Sequence, residues 1–196
     1  MIAILPYVIL IFSIVCHEVA HGYVALFLGD PTAKNQGRLT LNPISHIDPV
    51  GSLLLPGLAF ISGSSLLFGW AKPVPIQPHY FKNPKRGMMW VALAGPFINL
   101  VIASLAFTVF KLGIEQYYTW TFIQINLVLA LFNLFPIPPL DGSRILVYFL
   151  PEKAQTFFNR IEPYGFLIIF GLAYLGLFSA ILSSFLGIVL GWMVGL

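Results

Sequence analysis

The chain has 196 residues, of which 58% are hydrophobic and only 9% are charged, and its mean hydropathy is +0.89. In soluble domains about a quarter of the residues are charged, so a soluble protein of this composition would have too little polar surface to cover itself. The net charge of +3 resides in basic groups between apolar stretches, with no basic stripe of the kind that binds nucleic acid. Cys16 is the single cysteine, which excludes an intramolecular disulfide.

Long stretches of the chain lack any Lys, Arg, Asp or Glu. They are residues 1–16, 51–71, 87–110, 116–140 and 164–196. A helix needs about 20 mostly apolar residues to cross the hydrocarbon core of a bilayer, so several of these stretches can span it. Because there is no polar linker and no detectable repeat, we expect a single membrane-embedded domain over residues 1–196.

The first predicted helix runs from about Ile4 to Leu28, and it ends at Gly29-Asp30-Pro31, which is a typical stop-and-turn sequence. It lacks a basic n-region and is longer than a signal peptide, so we interpret it as a retained span. Residues 32–50 are polar and interrupted by Pro and Gly, with a short strand expected near the cytoplasmic side at Arg38–Leu41.

Residues 51–69 have the length of a span but contain Pro56, Gly57 and a Ser62-Gly63-Ser64-Ser65 stretch. If they turn back without crossing, nine of the ten Lys and Arg residues lie on one side of the membrane, whereas a full crossing divides them seven to three. The tendency of basic residues to lie on the cytoplasmic side therefore favours a re-entrant hairpin.

Later helices fit residues 87–110 and about 119–134, the second of which is stopped by prolines at positions 136, 138 and 139. The last apolar stretch starts at Tyr164 and suits either one long kinked helix or a tight hairpin. The predicted fold class is an all-α polytopic membrane protein with about 4–6 transmembrane helices.

The sequence His17-Glu18-Val19-Ala20-His21 lies within the first helix. Positions i and i+4 share a helix face, so both imidazoles can reach one metal ion, and Glu18 lies beside them to take a proton from water. Zinc suits a catalytic site with three protein ligands and one position left for water. Ionisable residues within a span are costly and mark function, which argues against histidines that only brace neighbouring helices.

A third ligand is required, and Asp141 is the best candidate. It follows a helix end broken by prolines, where an unwound backbone can line a cavity, and Gly142 permits a close turn. If residues 51–69 do not cross, both ligand-bearing segments approach the cytoplasmic side together. Among the other candidates, Glu115 is expected at the opposite face of the membrane, and the rest have ordinary loop, capping or surface roles: Asp30, His79, Glu152 and Glu162.

Together these residues resemble the site-2 protease family of intramembrane metalloproteases. The motifs that match are His17-Glu18-x-x-His21 and Asn133-x-x-Pro136-x-Pro138-x-Leu140-Asp141-Gly142, and Asn42-Pro43-x-x-His46, Gly69-Trp70-Ala71-Lys72-Pro73 and Ala94-Gly95-Pro96-x-x-Asn99 resemble the compact bacterial and archaeal branch. The resemblance implies one Zn²⁺ per chain held by His17, His21 and Asp141, Glu18 as the general base, and Asn133 as a catalytic residue that holds the substrate backbone or the oxyanion.

The resemblance further implies a multi-pass protein of a prokaryotic cell membrane, with its active site toward the cytoplasm and transmembrane proteins as substrates in regulated intramembrane proteolysis. No PDZ or CBS domain is expected, and Asn42 and His46 are expected to brace a loop. An unwound substrate could add as a strand to Arg38–Leu41 or to residues 51–69. Two alternatives remain: a catalytically inactive relative that binds membrane partners, and a metal transporter, although transporters usually show repeated halves.

Overall fold

The computed structural model describes residues 4–54, 61 and 71–194, and the regular structure among them is entirely helical. The α-helices are α1 Leu5–Phe27, α2 Thr32–Asn35, α3 Pro84–Lys111, α4 Gln116–Asn133, α5 Asp141–Phe149, α6 Glu152–Ile161, α7 Gly165–Tyr174 and α8 Leu177–Val194. Short 3₁₀ turns lie at Pro43–His46, Pro78–Tyr80 and Glu162–Tyr164, and a π-helical turn lies at Pro49–Leu54.

Two helices, α1 and α3, are long and apolar enough to cross a membrane. Helix α1 ends where predicted, because Gly29 takes a φ of +107° that side chains rarely adopt. Asn83 caps the start of helix α3, because its Oδ1 accepts a hydrogen bond from the backbone N–H of Arg86. The larger number of about 4–6 spans stays a prediction.

Helices α1, α3 and α4 form the centre of the fold. A cluster of Ala25, Phe81 and Val91 joins α1 to α3, and a second cluster of Ala103, Ile123 and Leu127 joins α3 to α4. Small residues such as Ala25 and Ala103 let helix backbones approach closely, which is how helices associate in lipid. The three-helix core thus fixes the histidine-bearing face of α1 against α3.

The strand expected at Arg38–Leu41 is not formed. These residues make bends, and the Arg38 guanidinium donates to the backbone carbonyl oxygens of Lys72 and Pro73 instead of leaving a sheet edge open. The re-entrant hairpin predicted for residues 51–69 lies mostly outside the described residues. The last apolar stretch divides into α7 and α8 at Gly176, whose φ is +71°.

Helices α5 and α6 lie in a region for which the sequence predicted no helix. Helix α5 begins at Asp141 and α6 begins at Glu152, directly after Pro151. Each of these helices has an acidic residue in its first turn, where the helix dipole favours a negative charge. The chain between α4 and α5 forms the turn that carries Asp141 back toward α1.

Candidate metal centre and active site

His17 and His21 lie one turn apart on the face of α1 that packs against α3. Both are buried, and their rings meet edge to face with centroids 4.6 Å apart. Helical periodicity alone places both imidazoles on this face. Gly95 of α3 lies opposite them, and a Cβ built there would be 2.5 Å from atoms of both rings. The absence of a side chain at Gly95 therefore makes room for the two imidazoles.

The second ring nitrogen of each histidine has its own partner on α3. His17 Nδ1 lies 2.6 Å from Asn99 Oδ1, and His21 Nδ1 lies 2.7 Å from the backbone oxygen of Val91. Both oxygens accept hydrogen bonds, so both Nδ1 atoms carry the proton and both Nε2 lone pairs face the cavity. Metal-binding histidines are oriented in this way by an outer partner.

Asp141 completes the group from the opposite side. Its Oδ2 lies 3.1 Å from His17 Nε2 and 3.3 Å from His21 Nε2, and all three ligand atoms lie within 4.8 Å of one another. Asp141 is the first residue of α5, and a Cβ on the adjacent Gly142 would overlap the carbonyl of Leu134. The close turn at Gly142 is therefore what brings the carboxylate to the histidines.

These three residues fit a zinc ion. Tetrahedral zinc with bonds of about 2.0–2.2 Å separates its ligand atoms by roughly 3.3 Å, which matches the two distances to Asp141. Among the described residues, Asp141 Oδ2 is a buried oxygen without a hydrogen-bond donor. Three lone-pair atoms that converge without a donor repel one another, and a divalent cation would satisfy all three at once.

Glu18 lines the same cavity, which has a volume of about 520 Å³ and also contains His17, His21 and Asp141. Its Oε2 accepts a hydrogen bond of 3.0 Å from the backbone N–H of Val74. The carboxylate is half-buried and is held at one oxygen, which leaves the other oxygen available to the cavity. A positioned carboxylate beside a metal site can act as a general base.

Asn133 also lines this cavity, at the C-terminal end of α4. Its Nδ2 donates to the backbone oxygen of Leu129 at 2.9 Å, one helical turn earlier. An amide nitrogen has two N–H groups, so one remains for another acceptor. Arg144 lies on the rim, where its guanidinium contacts the carboxylate of Glu162 at 2.8 Å. The sequence had given Arg144 no place at the site.

The other acidic and histidine candidates lie elsewhere. Within the described part of the chain, His17, His21 and Asp141 are the group of His, Cys, Asp and Glu side chains that could hold a metal ion. Asp30 accepts hydrogen bonds from Thr32 and from the backbone N–H of Gln77. Burial alone would raise the pKa of Asp30, but these hydrogen bonds hold that pKa below its ordinary value.

Residues 71–77, which supply part of the cavity lining, have no regular secondary structure. Side chains and loops hold this segment through its backbone: Arg38 binds the carbonyl oxygens of Lys72 and Pro73, and the Lys72 N–H donates to the backbone oxygen of His46. His46 Nε2 in turn donates to the oxygen of Thr40, and Asn42 Oδ1 accepts from the N–H of Ile44. These contacts agree with a loop-bracing role for Asn42 and His46.

Three polar residues behind His17 had no role predicted from the sequence. Asn99, Asn126 and Ser13 are fully buried between α1, α3 and α4, and they are joined by hydrogen bonds. A sequence signal for them exists, because uncharged polar residues in the middle of apolar helices need partners. Which residues pair with one another depends on helix packing, so composition alone does not reveal it.

Comparison with known proteins gives consistent matches. Residues 108–176 match peptidase family M50. Over 183 residues the chain is 41% identical to "Putative zinc metalloprotease YwhC" of Bacillus subtilis, covering 85% of this chain and 80% of that protein. Over 168 residues it is 34% identical to "Putative zinc metalloprotease Rip2" of Mycolicibacterium smegmatis, covering 80% of this chain and 61% of that protein.

A more distant relative is archaeal. The chain is 30% identical over 151 residues to "Zinc metalloprotease MJ0392" of Methanocaldococcus jannaschii, covering 75% of this chain and 34% of that protein. The chain therefore spans most of the Bacillus protein but only about a third of the archaeal one. No solved structure matches it significantly.

Proposed function

The chain belongs to peptidase family M50, the site-2 protease family, and on that premise we propose that it is an intramembrane zinc metalloendopeptidase that cuts peptide bonds in or near transmembrane segments of membrane proteins. The observation that carries the proposal is the convergence of His17 Nε2, His21 Nε2 and Asp141 Oδ2 in a cavity that Glu18 also lines. One zinc ion per chain, when bound by these three residues, supplies a Lewis acid that polarises a carbonyl and makes water more acidic.

Glu18 is the general base in this proposal. It accepts the proton of the attacking water and later delivers it to the nitrogen of the leaving amine. The N–H of Val74 holds one carboxylate oxygen at 3.0 Å, so the other oxygen keeps a defined direction toward the cavity. A carboxylate that only braced the fold would have no reason to line the metal cavity.

Asn133 is the second catalytic residue that we propose. Its side chain lines the cavity, and the N–H that does not bind Leu129 can donate to the substrate backbone or to the oxygen that becomes negatively charged. Donors that meet developing charge in a cavity sheltered from water stabilise a transition state strongly. The bond to Leu129 keeps the amide from rotating freely.

The substrates are transmembrane proteins whose helices must unwind before cleavage, because a helical carbonyl is already hydrogen-bonded to an N–H four residues along. Helix-breaking residues near the cut should therefore speed cleavage. We place the protein in the cell membrane, with the metal centre toward the cytoplasm, where it would act in regulated intramembrane proteolysis. The distribution of basic residues supports this orientation.

The test is zinc content and peptide cleavage measured on the same purified samples. The variants are Asp141→Ala, which removes a ligand, and Glu18→Gln, which removes the base, with Glu115→Gln as a control outside the cavity. We expect about one zinc per chain in the parent and much less in Asp141→Ala, because this variant lacks one of the three protein ligands. Glu18→Gln should keep zinc and lose about 10²–10⁴-fold in cleavage of a reconstituted transmembrane substrate.

The outcomes separate the competing functions. A well-folded parent without zinc would overturn the hydrolytic proposal and favour a partner-binding role. Zinc without cleavage by the parent, but with zinc flux into vesicles, would favour a transporter. Cleavage by Glu18→Gln at the parental rate would remove Glu18 from the mechanism.

A further inference from the structure

A line of buried polar side chains leads away from the metal centre into the three-helix core. Asn99 of α3, Asn126 of α4 and Ser13 of α1 are each completely inaccessible to solvent. Asn99 Oδ1 contacts His17 Nδ1 at 2.6 Å, and Asn99 Nδ2 donates to Asn126 Oδ1 at 2.8 Å. Asn126 Nδ2 donates to Ser13 Oγ and to the backbone oxygen of Phe122, both at 2.9 Å.

The direction of every hydrogen bond in this line is fixed by the backbone. The carbonyl oxygen of Phe122 can only accept, so the atom of Asn126 that faces it must be the NH₂ group. Asn126 therefore presents its oxygen to Asn99, which must turn its own NH₂ group toward Asn126. The backbone oxygen of Ser13, 3.4 Å from Asn99 Nδ2, favours the same orientation more weakly.

The orientation of Asn99 determines the tautomer of His17. Because the NH₂ group of Asn99 faces Asn126, its oxygen faces His17, and His17 Nδ1 must donate. The proton on Nδ1 leaves Nε2 with the free lone pair that a metal requires. His21 reaches the same tautomer more directly, through the backbone oxygen of Val91. The partner of His17 Nδ1 is instead a side-chain amide, so the tautomer of His17 depends on the orientations of Asn99 and Asn126.

We infer that Asn126 is a positioning residue for the metal centre: acting through Asn99, it keeps His17 in the tautomer that offers Nε2 to zinc. The inference rests on the proposed zinc site. A merely structural role would need Asn126 to be hydrogen-bonded, but would not need its amide to point in one direction. Burying two amides and a hydroxyl within apolar helices is costly unless each is paired, and apolar residues could have packed α1, α3 and α4 together.

The experiment measures the zinc dissociation constant by chelator competition in detergent micelles. Asn126→Leu should weaken zinc binding at least tenfold, within the 10–100-fold range typical of outer partners of metal ligands. Leu127→Ala, a truncation at the next residue, controls for lost packing and should leave the constant within about twofold, since Leu127 packs in the apolar cluster with Ala103 and Ile123. Should Asn126→Leu not unfold cooperatively, Asn126→Ser replaces it, because serine can return its hydroxyl to Phe122 but cannot reach Asn99.

Ser13→Ala tests the directional argument within the same line. Its hydroxyl can donate or accept and so fixes no direction, while Phe122 still orients Asn126. We expect Ser13→Ala to lower thermal stability but to leave zinc affinity and the visible spectrum of the Co²⁺-substituted protein unchanged. Asn126→Leu should alter that spectrum, because the environment of His17 changes.

A double-mutant cycle identifies the route. If Asn126 acts through Asn99, adding Asn126→Leu to Asn99→Leu should weaken zinc binding no further. Parental zinc affinity in folded Asn126→Leu, or in Asn126→Ser, would overturn the inference, as would full additivity in the cycle. Those results would leave the zinc site itself standing, whereas a parent that binds no zinc would count against the proposed function.

Discussion

The two walls of the cavity use polar side chains in opposite ways. The helical wall consists of α1 and α3 around His17 and His21, with Gly95 against the two rings, and the loop wall consists of residues 71–77. On the helical wall the backbone is hydrogen-bonded within its own helices, so polar side chains bind one another and converge on the metal centre. On the loop wall the backbone lacks such partners, and side chains from elsewhere supply them.

This difference teaches where function can be built in an apolar protein. Every buried backbone N–H and carbonyl needs a partner, and in lipid that requirement is strict. Where a helix satisfies the hydrogen bonds of its own backbone, imidazole and amide side chains remain free for chemistry. Where the chain is irregular, Asp30 and Arg38 are used to hold the backbone. Glu18 belongs to both walls, because it comes from α1 and accepts the N–H of Val74.

The largest effect should come from filling the space on the helical wall. Gly95→Ala introduces a methyl group whose carbon would lie 2.5 Å from atoms of both His17 and His21. The rings must move away from their ligand positions, so we expect zinc binding to weaken about 100-fold, at the upper end of effects from residues around a metal site. Helix propensity alone would predict that the same change stabilises the fold by roughly 0.5–1 kcal/mol, so the steric effect opposes this gain in stability.

The matched control for Gly95→Ala is Gly171→Ala in α7. A Cβ at Gly171 meets no atom within 4 Å, so the substitution carries the same change in helix propensity without a clash. Calorimetric zinc titration of both variants separates the two effects. Unchanged zinc affinity in Gly95→Ala would mean that the histidines tolerate a side chain there, and the description of the helical wall would have to change.

A smaller effect is expected where the two walls meet. Val74→Pro removes the N–H that holds Glu18, and position 74 suits proline because the following Pro75 already favours an extended conformation. We expect cleavage to slow about tenfold, a fraction of the 10²–10⁴-fold contribution of a general base, while zinc content stays at the parental level. Val74→Ala retains the N–H and loses similar packing, so its cleavage rate should stay well above that of Val74→Pro.

The contrast between the walls also explains what the sequence could predict. The i, i+4 spacing of His17 and His21 is local, and helical geometry turns it into a shared face whatever the rest of the chain does. Asp141 was chosen because it follows a helix end broken by prolines and precedes Gly142, and the structure brings it to both histidines. The link from Ser13 to Asn126 joins residues 113 positions apart, and no periodicity in the sequence reports such a contact.

The loop wall was the harder part to predict. Arg38–Leu41 was expected to pair as a strand, but Arg38 satisfies carbonyl oxygens of the loop wall with its side chain. Arg38 had been counted among the basic residues of the cytoplasmic side, and it is in fact buried. Charge counting treats a cation as solvated, so it does not reveal one that holds a backbone segment in place.

The smallest effect concerns the far end of the loop wall and depends on pH. Asp30 accepts hydrogen bonds from Thr32 and from the N–H of Gln77, which keep its pKa below the ordinary value. A carboxylate with a lowered pKa in the folded state adds stability above the unfolded-state pKa of about 3.9, and that stability is lost as pH falls through the folded-state pKa. The thermal midpoint should therefore fall on acidification to pH 3.

Asp30→Asn isolates this contribution. An asparagine has one acceptor oxygen, so it cannot serve Thr32 and Gln77 together, and we expect it to lose about 1–3 kcal/mol of unfolding free energy at pH 7. Its thermal midpoint should vary less with pH than that of the parent, while zinc affinity stays unchanged because Asp30 does not line the cavity. If the two proteins lost stability in parallel below pH 5, the loop wall would not depend on the Asp30 carboxylate, and Arg38 would remain as its principal side-chain support.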